Sequence, residues 1–227
     1  MIWAAAAVHL FTALGAVAGL FATLAIFESA PEKVFFWLAV ALLIDGIDGT
    51  FARAVGVRQR LPRFSGETLD LVVDYVTYVF VPVLALLVFR KLDGVAGQIV
   101  AALALLSSLY HFADSESKDA RNCFVGFPAV WNVVAFYVFA LDLTPSATAV
   151  LGVVCVAGAF VRMPWVHPLR VKMWRAMTMA VTVAGSVAGL MVLARGFPAP
   201  PAEQAVLVIA ALYGVGLSLY WYVRPPA

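Results

Sequence analysis

The run Asp45-Gly46-Ile47-Asp48-Gly49-Thr50-Phe51-Ala52-Arg53 is followed, after twelve residues, by Gly66-Glu67-Thr68-Leu69-Asp70-Leu71-Val72-Val73-Asp74. Four aspartates therefore sit on neighbouring segments, and each segment continues into a long apolar stretch: 34–44 before the first and 76–89 after the second. An ionised side chain at bilayer depth costs at least about 2.5–3.5 kcal/mol. Four of them side by side call for compensation by metal ions, protons or basic partners.

Composition places the rest of the chain around these acids. Of 227 residues, 64% are hydrophobic and 12% charged, with a mean hydropathy of +0.97. A soluble domain carries about 25% charged residues. The expected fold is all-α: a polytopic membrane helical bundle, one domain over residues 1–227. A net charge of +2 is too small for a nucleic-acid partner. Cys123 and Cys155 lack metal-ligand spacing and are expected to be small buried hydrophobes. No cleavable signal peptide is expected, because the N-terminus lacks a basic region and its apolar run is too long.

Apolar runs of about 17–25 residues are the length of a spanning helix. Eight are expected, at 4–27, 33–54, 68–89, 95–113, 124–141, 146–163, 172–194 and 204–223. With eight spans, one face collects Arg53, Arg58, Arg60, Arg63, Lys118, Arg121, Arg162, Arg170, Lys172, Arg175 and Arg224, against Lys33, Arg90, Lys91 and Arg195 on the other. This bias predicts cytoplasmic termini and a cytoplasm-facing acid cluster.

Asp45 and Asp48 are three apart, Asp70 and Asp74 four apart, so each pair lies on one helical face. Carboxylates converging across a helix pair form a hard-oxygen site for one or two Mg²⁺ or Mn²⁺ ions, able to clamp a phosphate during transfer. Interhelical hydrogen bonds or a cation-conducting path are the alternatives. A cation-conducting path gives no reason for the glycines and alanine between the acids.

The pattern Asp-Gly-x-x-Asp-Gly-x-x-Ala-Arg-x(12)-Gly-x-x-x-Asp-x-x-x-Asp resembles the signature of the CDP-alcohol phosphotransferases, membrane enzymes that move a phosphoalcohol from a CDP-alcohol to a second alcohol and release CMP. The Arg53–Gly66 gap is longer than the family's usual eight residues. That gap, Gly46, eight spans rather than six, and the segments Phe127-Pro128-Ala129-Val130-Trp131-Asn132 and Val166-His167-Pro168-Leu169-Arg170 are similar to the bacterial phosphatidylcholine synthase branch. The resemblance implies metal ligation by Asp45, Asp48, Asp70 and Asp74, with Asp74 also the general base. It implies a CDP pocket shaped by Gly49, Ala52 and Gly66 with Arg53 on the nucleotide. Implied too are CDP-diacylglycerol and choline as substrates, a homodimer, and residence in a bacterial inner membrane. Serine, glycerol phosphate or inositol phosphate are alternative acceptors, and a cation or choline transporter is an alternative of another class.

Choline is a permanent cation with one hydroxyl, so aromatic faces are its expected partners. Asp45 lies about 12 Å inside its helix end at 1.5 Å per residue. Trp131 and Asn132 are expected near that depth, Tyr75 follows Asp74 directly and Tyr110 lies near the cytoplasmic exit of its span. Trp131 and Tyr75 are the leading candidates, with Asn132 positioning the hydroxyl, balanced against ordinary lipid-facing aromatics. Asp114, Glu116 and Asp119 read as a solvated loop, Glu67 as a helix-start carboxylate, and His9 and His111 as non-ligands. His167 lies in a basic joint suited to anionic headgroups. Ala184, Gly185 and Gly189 read as ordinary helix-packing residues.

Overall fold

The first helix, α1 (Ile2–Phe27), buries a stripe of small side chains at Ala5, Thr12, Gly15, Ala18, Gly19 and Ala22. Such a stripe lets neighbouring backbones come close, the usual basis of helix association in lipid. A Cβ added at Gly15 would lie 2.6 Å from Val73 Cγ1, and one at Gly19 3.1 Å from Val76 Cγ1. Both contacts fall on the segment that carries Asp70 and Asp74. Helix α1 also packs along α2 (Pro31–Val55), which carries Asp45 and Asp48. It is thus the common wall against which the two acidic segments are aligned.

The computed structural model describes residues 2–117, 123–166 and 174–224. Helix α2 ends at Gly56, whose left-handed φ of 65° lets its N–H reach the carbonyls of Ala52 and Arg53. A one-turn helix, α3 (Val57–Arg60), follows. The Ser65 hydroxyl then caps α4 (Gly66–Asp74) by accepting from the Thr68 N–H at 3.1 Å. Helix α4 runs without a break into a π-helical turn (Tyr75–Phe80) and α5 (Val81–Val88), making one rod over 66–88. The remaining elements are α6 (Gly94–Ala113), β1 (Phe124–Val125), α7 (Trp131–Ala140), α8 (Pro145–Ala159), β2 (Pro164–Trp165), α9 (Arg175–Arg195) and α10 (Pro201–Val223).

Eight apolar helical rods occur in the expected order, but six among the described residues are long enough to cross a membrane. The expected spans at 124–141 and 146–163 are corrected to helices of 10 and 15 residues. At 1.5 Å per residue α7 is about 15 Å long, half the ~30 Å hydrocarbon core. The cause lies at its start. Phe124–Val125 pairs antiparallel with Pro164–Trp165. Gly126 follows at φ 79°, and a Cβ there would sit 2.6 Å from the Ala159 carbonyl oxygen. Gly126, Phe127 and Ala129 are buried, so this non-helical backbone is shielded by protein, the condition for tolerating it at membrane depth.

The main core joins α1, α2, the 66–88 rod, α6, α7 and α8 around Ile26, Leu38, Leu86, Trp131 and Val138. At the end away from the acids, Phe35, Phe136, Phe139 and Phe197 meet in edge-to-face or tilted contacts. Glu32 accepts from the Phe197 N–H at 3.2 Å, and Lys91 pairs with Asp142 at 2.6 Å. Arg195 pairs with the buried Glu203. The Glu32 contact fastens the α9–α10 connection to α2, the Lys91–Asp142 pair joins the loops after α5 and α7, and the Arg195–Glu203 pair closes the hairpin on itself.

Candidate active site

Helix α2 and the 66–88 rod bring one carboxylate oxygen each from Asp45, Asp70 and Asp74 within 4.8 Å of one another. All three residues are partly buried. The i, i+4 spacing in α4 stacks Asp70 and Asp74 on the face turned toward α2. The next residue on that row, Tyr78, donates its hydroxyl to Asp45 Oδ2 at 2.6 Å. Tyr78 lies in the π-helical turn, a distortion common at functional sites. It was not singled out from the sequence, although the fourfold spacing Asp70–Asp74–Tyr78 was there to be read.

Asp48 departs from the expected set of four converging ligands. It is buried at 6% exposure, outside the trio, and its Oδ2 accepts a 2.7 Å hydrogen bond from the Thr12 hydroxyl of α1. Thr12 also donates to the Val8 carbonyl at 3.3 Å. A threonine inside an alanine-rich span was the available signal for this partner.

Beside the trio, and sharing Asp70 with it, opens a pocket of about 860 Å³. Asp48, Gly49, Ala52, Arg53 and Gly66, all singled out from the motif, line it together. Arg53 is held by a hydrogen bond to the Thr50 hydroxyl at 3.2 Å. The turn at Gly56 and helix α3 fold back over the pocket, bringing Arg58 and Gln59 to its wall. The lining thus combines the carboxylates of Asp48, Glu67 and Asp70 with the guanidinium groups of Arg53 and Arg58. This pairing suits a molecule that holds both a divalent cation and phosphates.

The four aromatic and amide candidates lie elsewhere, and none lines this pocket. Trp131 is 1% exposed, packed edge-on against Phe127, with its indole N–H donated to the Ser108 hydroxyl at 2.9 Å. Asn132 is buried, its Oδ1 accepting from the Val133 N–H at 2.9 Å. Tyr75 is partly buried against Phe112 and donates to the Leu105 carbonyl at 3.4 Å. Tyr110 is 53% exposed and leans on Phe160. The solvated-loop expectation gains a partner, since Glu116 pairs with Arg162 at 2.9 Å. Asp119 and His167, with Lys118, Arg121, Arg170 and Lys172, lie outside the described residues.

No family model matches the chain. Individual relatives do. A phosphatidylcholine synthase of Pseudomonas aeruginosa is 38% identical over 218 residues, covering 94% of this chain and 90% of the relative. The chain belongs to the phosphatidylcholine synthase family. The corresponding protein of Bradyrhizobium diazoefficiens is 40% identical over 210 residues, covering 92% and 79%, and that of Rhizobium meliloti 35% identical over 213 residues, covering 94% and 86%.

Proposed function

We propose that this membrane enzyme makes phosphatidylcholine from CDP-diacylglycerol and choline, releasing CMP. The observation that carries the reading is the convergence of Asp45, Asp70 and Asp74 beside an arginine-lined pocket, in a chain whose relatives are phosphatidylcholine synthases. Three carboxylate oxygens within 4.8 Å form an all-oxygen donor set that fits Mg²⁺ or Mn²⁺. Asp45, Asp70 and Asp74 would hold the ion, and Asp48 adds a carboxylate on the adjoining pocket wall. When bound, such an ion neutralises charge on the diphosphate of the donor.

The protein's own groups do the remainder. Arg53 draws the diphosphate into the pocket, while Gly49, Ala52 and Gly66 leave room for the nucleotide against the backbone. Tyr78 holds Asp45 in one orientation, and Thr12 does the same for Asp48. The choline hydroxyl attacks the phosphorus bonded to diacylglycerol in line with the bond to CMP. The new oxygen–phosphorus bond forms, the anhydride bond breaks, and CMP departs with the electron pair. The hydroxyl proton passes to the Asp74 carboxylate, which is set within the acid cluster for that transfer.

Among the choline candidates, Tyr75 stands next to Asp74 in sequence but not one turn from either acid pair, and it is partly buried; its ring is the one to test first. Trp131 and Asn132 act by supporting this region from within the core, and Tyr110 contributes at its rim. The arginine-rich side faces the cytoplasm of a bacterial inner membrane, and two copies associate as a homodimer. Supplying the purified enzyme with CDP-diacylglycerol and, in turn, choline, serine, glycerol phosphate or inositol phosphate tests the acceptor. Choline-dependent CMP release is expected. An inert choline beside a reactive alternative overturns the assignment, and choline flux without CMP would favour a transporter.

A further inference from the structure

His9 has no part in the chemistry so far described, yet it occupies the wall of the pocket. It sits on α1 three residues before Thr12, on the same helical face, so that Thr12 meets Asp48 while His9 lies about one turn nearer the helix start. There it borders the same space as Gly49, Ala52, Gly66 and Asp70. The imidazole lies against the first residue of α4: a Cβ on Gly66 would fall 3.0 Å from His9 Cε1 and 3.5 Å from Nδ1. The ring therefore packs closely on the backbone at the start of the neighbouring helix, where a side chain would crowd it. Its Nε2 is buried and has no hydrogen-bond partner among the described residues. Buried polar nitrogens are seldom left unpaired, and a neutral imidazole offers one donor and one acceptor.

We propose that His9 binds the nucleoside half of the donor, with Nε2 making a hydrogen bond to the ribose or the pyrimidine of the CDP group. This rests on the nucleotide-donor reading above. The order of groups along α2 fits it. Asp45, in the acid trio, and Ala52, which lines the same pocket as His9, are seven residues apart, about 10 Å at 1.5 Å per residue. With the phosphates at the acids, a nucleoside extends along this length toward His9. The backbone at Gly66 and the imidazole together form the surface it would lie on. His9 thus selects for a nucleoside, whereas the acids and Arg53 recognise only phosphate.

Calorimetric titration of the purified enzyme in excess Mg²⁺ tests this, using CDP and inorganic pyrophosphate as probes. Pyrophosphate has the charge of the donor's diphosphate but no nucleoside. His9→Ala is expected to weaken CDP binding about tenfold, the size of one lost hydrogen bond to a ligand, and to leave pyrophosphate binding as in wild type. His9→Gln, which returns an amide near the position of Nε2, should regain most of the CDP affinity. Unchanged CDP affinity in His9→Ala overturns the inference alone. Equal losses for CDP and pyrophosphate overturn it as well, because His9 would then serve the shape of the pocket. A wild-type enzyme that binds no CDP removes the nucleotide-donor reading itself, and this inference with it.

Discussion

Tyr78 and Thr12 show how individual side chains fix the orientation of the acids. Each gives a short hydrogen bond to one carboxylate oxygen, 2.6 Å to Asp45 and 2.7 Å to Asp48, and each comes from an otherwise apolar segment. Groups that orient metal ligands commonly matter by 10–100-fold. Tyr78→Phe is therefore expected to lower turnover by about that factor, with the protein's unfolding midpoint barely moved; a rate equal to wild type would remove Tyr78 from the site. Trp131 makes the opposite case. Fully buried and hydrogen-bonded to Ser108, it should cost about 3–5 kcal/mol of stability when replaced by alanine. Tyr110→Ala, at an exposed position, should stay within about 0.5 kcal/mol. Unfolding in detergent followed by tryptophan-independent circular dichroism separates the two. The acids themselves were legible from residue types and spacing, because few devices explain carboxylates at bilayer depth. Their hydrogen-bond partners were not, since a tyrosine or a threonine in an apolar run is unremarkable until the opposing helix is in place.

Among the elements, α1 governs the geometry of the site while supplying none of the acids. Gly15 and Gly19 press it against Val73 and Val76, so the depth of the 66–88 rod relative to α2 depends on two missing side chains. Gly15→Val has no room, with a Cβ already 2.6 Å from Val73 Cγ1. Overpacking of this kind costs about 1–3 kcal/mol. The expected result is an enzyme that folds but loses most activity, as Asp70 and Asp74 shift against Asp45; wild-type kinetics would show that the contact is slack. The helices themselves followed from apolar run length, and the observed bounds of α1, α2 and α10 differ from the expected ones by a few residues. The failure at 124–130 has a definite source. Apolar length cannot distinguish a helix from extended backbone buried by its neighbours. The signals against a helix, Gly126 and Pro128, needed the partner strand at 164–165 to be interpreted.

For the whole molecule, the two ends of the bundle differ in kind. One end holds the pocket, the acids, α3 and the arginines Arg53 and Arg58; the other is fastened by Glu32, Lys91, Asp142, Arg195 and Glu203. The bias of basic residues predicts that the first end faces the cytoplasm. Single cysteines placed at Arg58 and at Lys33, in a background lacking Cys123 and Cys155, check this with a membrane-impermeant thiol reagent on intact cells. Labelling is expected at position 33 and not at 58, and the reverse pattern would invert the topology. The central claim is that Asp45, Asp70 and Asp74 share a divalent cation that makes CDP-diacylglycerol reactive toward choline. Its most direct measurement is formation of labelled phosphatidylcholine and CMP by the purified enzyme and by Asp70→Asn, each with chelator and after Mg²⁺ is restored. The account predicts equimolar products from wild type, lost on chelation and regained with Mg²⁺, and none from Asp70→Asn under either condition. Undiminished synthesis in chelator, or by Asp70→Asn, would contradict it.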